Sequence, residues 1–191
     1  KYITYLDANS LYSWSMIQYL PYSGFKSIDP ENFSLDIVRG DSDIGHILEV
    51  DLSYPKELHD AHNEYPYCCE HTTLRDDLLS PYAKHIAEKH ELTIGKSSKL
   101  ISSLTDKTRY IIHEMNLKQA VAAGLILTKI HRVIEFKQKP WMKDFIDFNI
   151  NKIKESKNEF EKGFFKIMCN ATYGRTLMNL RKRQNISLIN D

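Results

Sequence analysis

The chain has 191 residues and a mass of 22.3 kDa, with 42% hydrophobic and 27% charged residues, the balance of an ordinary globular protein. The longest apolar run, Ala120 to Leu127, falls far short of the roughly 18 residues that a membrane span needs. The net charge of +1 conceals an asymmetry: Arg132 to Asp191 holds 13 Lys/Arg against 7 Asp/Glu, and the remainder is acidic by five, which points the C-terminal third towards a polyanion or a solvated helix face.

Length allows one domain or two small ones sharing a core. The N-terminus shows no basic-then-apolar leader, so membrane and secreted readings are disfavoured and an intracellular location is expected. Three cysteines, Cys68, Cys69 and Cys169, imply no disulfide framework and suit a reducing compartment. The N-x-Ser/Thr triplets at Asn32, Asn170 and Asn185 are read as chance.

Lys1 to Leu6 alternates and is rich in β-branched and aromatic residues, which predicts a strand ended by Asp7. It starts without Met, as expected of a piece cut from a longer chain. Ser10 to Tyr19 predicts a short helix, and Pro21, Gly24 and Pro30 predict a loop. Gly45 to Leu52 reads as a second strand, and residues 55–80 as an irregular excursion. A strand is expected from Tyr110, a helix from Asn116 ended by Gly124, and a strand from Leu125 to Phe136. After Pro140 the pattern turns helical, with one apolar series of Trp141, Phe145, Phe148 and Ile153 and another of Phe160, Phe164, Ile167 and Met168.

Two stretches carry chemistry. In Tyr5-Leu-Asp-Ala-Asn-Ser-Leu-Tyr12 a carboxylate stands at the expected strand end before a turn of small polar residues. Such a carboxylate suits a hard cation such as magnesium, and the amides that follow can receive phosphate oxygens where a helix begins, although a strand-end Asp before a turn is commonplace. In the second stretch, Lys162, Lys166, Asn170 and Tyr173 recur at steps of four, four and three, which places them on one helical face. That row of ammonium groups, amide and ring matches phosphates and a base, or else the wet lysine edge of an amphipathic helix. Phe164, Ile167 and Met168 point elsewhere and are expected to make the core contact.

Together the stretches resemble the family B DNA polymerases. Asp7-Ala-Asn-Ser-Leu-Tyr12 is similar to their first palm motif, Asp-x-x-Ser-Leu-Tyr. Lys166-x-x-x-Asn170-x-x-Tyr173-Gly174, 159 residues further on, is similar to their fingers motif. The texture of Asn9-Ser-Leu-Tyr-Ser-Trp, Gln138-Lys-Pro-Trp and Asp147-Phe-Asn resembles the protein-primed branch carried by mobile elements and viruses. The resemblance implies an α+β fold: a partial palm sheet over residues 1–53, an inserted α/β element over 54–130, and helical fingers over 131–191. It implies template-directed addition of deoxynucleotides to a primer 3′-hydroxyl by two-metal phosphoryl transfer. Asp7 and the Ala8 carbonyl would hold magnesium, and the backbone of Ser10, Leu11 and Tyr12 would hold phosphates. The Tyr12 ring would lie under the deoxyribose and reject a 2′-hydroxyl. Lys166 would neutralise the triphosphate, with Lys154 (or Lys152 or Lys157) as a second phosphate contact, and Asn170, Tyr173 and Gly174 would line the nascent base pair. DNA primer-template, deoxynucleoside triphosphates and a terminal priming protein are the implied partners; the inserted element would contact the priming protein and DNA.

Ser13 stands where many members have Pro, and Ala171 replaces the usual motif Ser. The Asp-Thr-Asp motif that supplies the second metal carboxylate does not occur, since the only Asp after the fingers motif is Asp191. The chain alone is therefore expected not to polymerise, and the alternative is a non-catalytic nucleotide- or nucleic-acid-binding remnant. A structural or interaction module would require the match of Asp7, Tyr12 and Lys166 to be coincidence. His59, His62, Cys68, Cys69 and His71 suggest zinc, but adjacent cysteines match its usual ligand spacing poorly, and a polar loop with two thiols is the plainer reading. His85 and His90 read as solvated helix residues.

Overall fold

A computed structural model describes residues 4–73, 79–93, 95, 97–184 and 186. They form a mixed α/β architecture of six strands and six α-helices. In chain order these are α1 (Leu11–Met16), β1 (Leu20–Ile28), β2 (Ile44–Ser53), α2 (His59–His62), β3 (Glu70–Thr73), α3 (Pro81–Lys89), β4 (Ser98–Ile101), β5 (Lys107–His113), α4 (Glu114–Ala122), β6 (Ile126–Lys139), α5 (Lys143–Glu155) and α6 (Glu159–Thr176). One sheet has the order β1-β6-β2-β5, and β3 and β4 form a separate antiparallel pair. Among the described residues no helix is long and apolar enough to cross a membrane.

The chain divides into two compact units, and the division passes through β1 after Gly24 and through β6 before Phe136. The first comprises residues 1–24, 40–44 and 136–191. Its core is Met16, Met142, Ile146 and Cys169, with Ile17, Leu20, Ile150 and Tyr173 packed against it. The second comprises residues 25–39 and 45–135. Its core takes Leu48, Val50 and Leu52 from β2, Ile112 from β5, Leu117 and Ala120 from α4, and Val133 from β6. Period-2 alternation explains β2, because every second side chain enters this core.

Several expectations are corrected. Residues 4–8 are not a strand, so Asp7 lies in irregular chain rather than at a strand end; Lys1 to Ile3 lie outside the described residues. The loop expected around Pro21 and Gly24 is β1, which tolerates proline because it is an edge strand. Gly24 has φ +71°, and a Cβ there would stand 3.2 Å from Lys137 Cγ. The excursion after Pro55 contains α2 and β3.

Both C-terminal helices form as expected, but the face that packs is different. Trp141, Phe148, Phe160, Phe164 and Ile167 are each at least half exposed. Met142, the N-cap of α5, and Ile146 and Ile150 on it, spaced four apart, turn inward, and Cys169 does so on α6. The 3.6 period was legible, but its phase was not, because the apolar arc of each helix is wider than the face that packs.

Candidate functional site

The segment after Tyr5 runs without regular structure to Ser10, whose φ of 54° puts it in the left-handed region as the N-cap of α1. α1 is only six residues long and is anchored by buried Ser13 and Met16. This holds Asp7 to Ser13 as one wall of a pocket of about 560 Å³ in the first unit. Ile150 and Ile153 of α5 and Lys166, Cys169 and Asn170 of α6 also line it. Asn158 caps α6 by accepting from the Glu161 amide at 2.9 Å. Cys169 is 3% exposed and fixes the helix face that presents Lys166 and Asn170.

The pocket thus brings together Asp7, Ala8, Ser10, Leu11, Tyr12, Lys166 and Asn170. Tyr173 stands behind Tyr12: their rings stack with centroids 4.2 Å apart and planes 4° from parallel. Lys154 and Gly174 are exposed and are not among the lining residues. Of the alternatives to Lys154, Lys152 pairs with Glu155 at 2.8 Å. Lys162, one turn before Lys166, is engaged by Glu159 at 2.8 Å. Neither Asp7 nor Lys166 forms an ion pair with the described residues, so a carboxylate and an ammonium are both available to a ligand. Asn9, Ile150 and Cys169 were not singled out from sequence. For Ile150 the available signal was its spacing of four from Ile146 on the inward face of α5.

Two bridged magnesium ions require at least a pair of carboxylates, and among the described residues Asp7 is the one carboxylate lining the pocket. Among the described residues no three His, Cys, Asp or Glu are grouped so as to hold a metal. The donors present therefore do not fit a two-metal centre. Two of the suggested zinc ligands are engaged otherwise. His62 Nδ1 lies 2.8 Å from the Tyr54 hydroxyl, and the Cys69 thiol lies 3.4 Å from Ser102 Oγ. Burial pushes the Cys68 thiol up to about 11, which keeps it protonated.

No curated protein and no solved structure matches the chain. A family model described as DNA polymerase type B, organellar and viral, matches residues 1–191. The chain belongs to this family of DNA polymerases.

Proposed function

We propose that the first unit is the nucleotide-binding part of a DNA-directed DNA polymerase of the protein-primed branch. One observation carries this reading: a single pocket is lined by both Asp7–Tyr12 and Lys166–Asn170, although the two segments are far apart in sequence. At about 560 Å³ it falls within the usual range for small-molecule sites. In lineage terms residues 1–53 are a partial palm, 54–130 an insertion and 131–191 the fingers helices.

Lys166 meets the triphosphate, its charge-assisted hydrogen bonds being strongest where the ligand charge is densest. The amides of Ser10, Leu11 and Tyr12 take phosphate oxygens, and Lys154 supplies a further contact as the helices approach the ligand. The Tyr12 ring packs beneath the sugar and leaves no room for a 2′-hydroxyl. Asn170, Tyr173 and Gly174 face the base pair formed with a DNA template. Magnesium is the metal such a polymerase takes, and Asp7 with the Ala8 carbonyl are the donors this chain brings. One carboxylate does not hold two ions, so the isolated chain binds a deoxynucleoside triphosphate without transferring it. The second reading, a binding remnant, keeps the same pocket and binds without transfer.

Equilibrium titration with a fluorescent deoxyadenosine triphosphate tests the site. Lys166→Ala is expected to weaken binding by roughly tenfold or more, the loss of a hydrogen bond to a charged group. Unchanged binding by a variant with native circular dichroism refutes the reading. Primer extension by a protein completed with an Asp-Thr-Asp segment separates polymerase from remnant.

A further inference from the structure

The second unit holds a feature that the polymerase reading does not use. Glu49 of β2 faces Ile111 of β5 across the antiparallel pair, and the register then slips between Val50 and Leu52. Arg109 sits at this slip with φ 52°, and a bulge of this kind redirects a side chain. Its Nε donates to Glu49 Oε1 at 2.8 Å, while Arg132 Nε of β6 donates to Oε2 of the same carboxylate at 2.5 Å. Asp51 secures the backbone of Arg109, accepting from its amide at 2.7 Å. Both guanidinium groups are fixed through Nε alone and are 59% and 69% exposed. Their terminal nitrogens have no partner among the described residues.

Beside this pair lies a cleft of about 260 Å³, walled by Ile47, Leu48, Ile111 and Ile134, with Ser27, Glu49 and Arg132 at its polar side and Arg109 across Glu49 from Arg132. Ile111 is 67% and Ile134 44% exposed, so the aliphatic wall is open to a ligand. Two arginines beside Glu49 and Asp51 leave no large excess of positive charge, which argues against a polyanion and leaves the guanidinium geometry to select the ligand. The lining holds no aromatic ring, the element on which single-stranded bases stack. Arginine forks pair with planar carboxylates in bidentate geometry. We propose that this cleft binds a carboxylate carried on an aliphatic stem, with the head on the terminal nitrogens of Arg132 and Arg109 and the stem against Ile111 and Ile134.

The test follows isoleucine methyl signals of the full, isotope-labelled chain during titration with isocaproate, with isohexanol as neutral control and with an acetylated Leu-Glu-Leu amide. Isocaproate is expected to shift Ile111 and Ile134 at concentrations at least tenfold below those needed for isohexanol, and Arg132→Gln is expected to erase that difference. Binding of the free acid supports a small-molecule ligand, and binding of the peptide alone supports a side chain of an extended segment. Equal response to acid and alcohol, no response to either carboxylate, or a response to oligothymidylate alone overturns the proposal. Arg132→Lys keeps the charge without the fork. A native spectrum with weakened isocaproate binding in that variant locates the effect in guanidinium geometry rather than in folding.

Discussion

Lys107 of β5 is among the largest fully buried side chains of the described residues, and it carries an ammonium group. Its three donors meet Glu70 Oε2 of β3 at 2.9 Å, the Ser103 carbonyl at 3.2 Å and Ser103 Oγ at 2.7 Å. The side chain of Glu70 keeps 30% of its exposure, so the two partners are not equivalent. Glu70→Ala leaves a charge in the interior with only neutral acceptors, and removing one partner of a buried pair costs about 3–5 kcal/mol. Lys107→Met removes the buried charge itself, fills similar volume and leaves Glu70 to turn towards water. Such a replacement is neutral or stabilising, so its expected cost is below about 1 kcal/mol. Urea unfolding of both variants, followed by far-ultraviolet circular dichroism, gives the comparison. Trp14 and Trp141 both belong to the first unit, so tryptophan fluorescence does not report on this one. At a slope of about 2 kcal/mol per molar urea, Glu70→Ala lowers the midpoint by roughly 2 M. Equal costs for the two variants, or a larger cost for Lys107→Met, would refute the argument that desolvation of the ammonium dominates.

Three further outcomes are expected. The hydrogen bond from Arg132, followed by the charge of Arg109, holds the Glu49 carboxyl below its ordinary 4.5 in the folded protein. Below that pH the unfolded chain binds the proton first, so this contribution to stability is present above about 4.5 and is lost as the pH falls through the folded value; acid titration of Glu49→Gln should lack that part of the decline. Gly124 has φ +105°, and a Cβ there would stand 2.9 Å from Leu58 Cδ1, so Gly124→Ala should destabilise the second unit by about 1–3 kcal/mol in urea unfolding. In a completed polymerase, Tyr12→Ala should admit ribonucleotides in primer extension, and unchanged sugar selection would remove Tyr12 from that role.

The legible parts of the fold were those where one local rule acted alone. β2 alternates because one of its faces is core, and α4 stops at Gly124, whose positive φ few other residues adopt. β1 was hidden because Pro21 and Gly24 mark loops unless an edge strand accommodates them, and edge position depends on partners distant in sequence. On α5 and α6 the large aromatics were the natural choice for the buried face, yet Met142, Ile146 and Cys169 occupy it. Hydrophobicity alone does not rank two apolar stripes on one helix. The pocket was legible in part, since residue order and type picked out Asp7 to Tyr12 and Lys166 to Asn170. Its α5 wall was not, because Ile150 looks like any core residue until α1 and α6 are placed beside it. The paired arginines over Glu49 left no sequence pattern, since a register slip aims Arg109 and β6 supplies Arg132.

The division into units bears on how the proposed site can be tested. The first unit is assembled from three pieces, residues 1–24, 40–44 and 136–191, and the chain between them builds the second. Every residue that lines the pocket, and every residue of the core behind it, belongs to the first unit. The sequence distance between Asp7 and Lys166 is therefore set by a unit that contributes no side chain to the pocket. Ile146 is fully buried beneath Met16 and Cys169, so Ile146→Ala opens a cavity under both walls and costs about 2–5 kcal/mol. That variant should lose triphosphate binding together with the stability of its unit. Glu70→Ala should lose stability in the other unit and leave triphosphate affinity unchanged. If Glu70→Ala weakens the triphosphate as strongly as Lys166→Ala does, the pocket is not self-contained and its assignment to residues 7–13 and 150–170 fails.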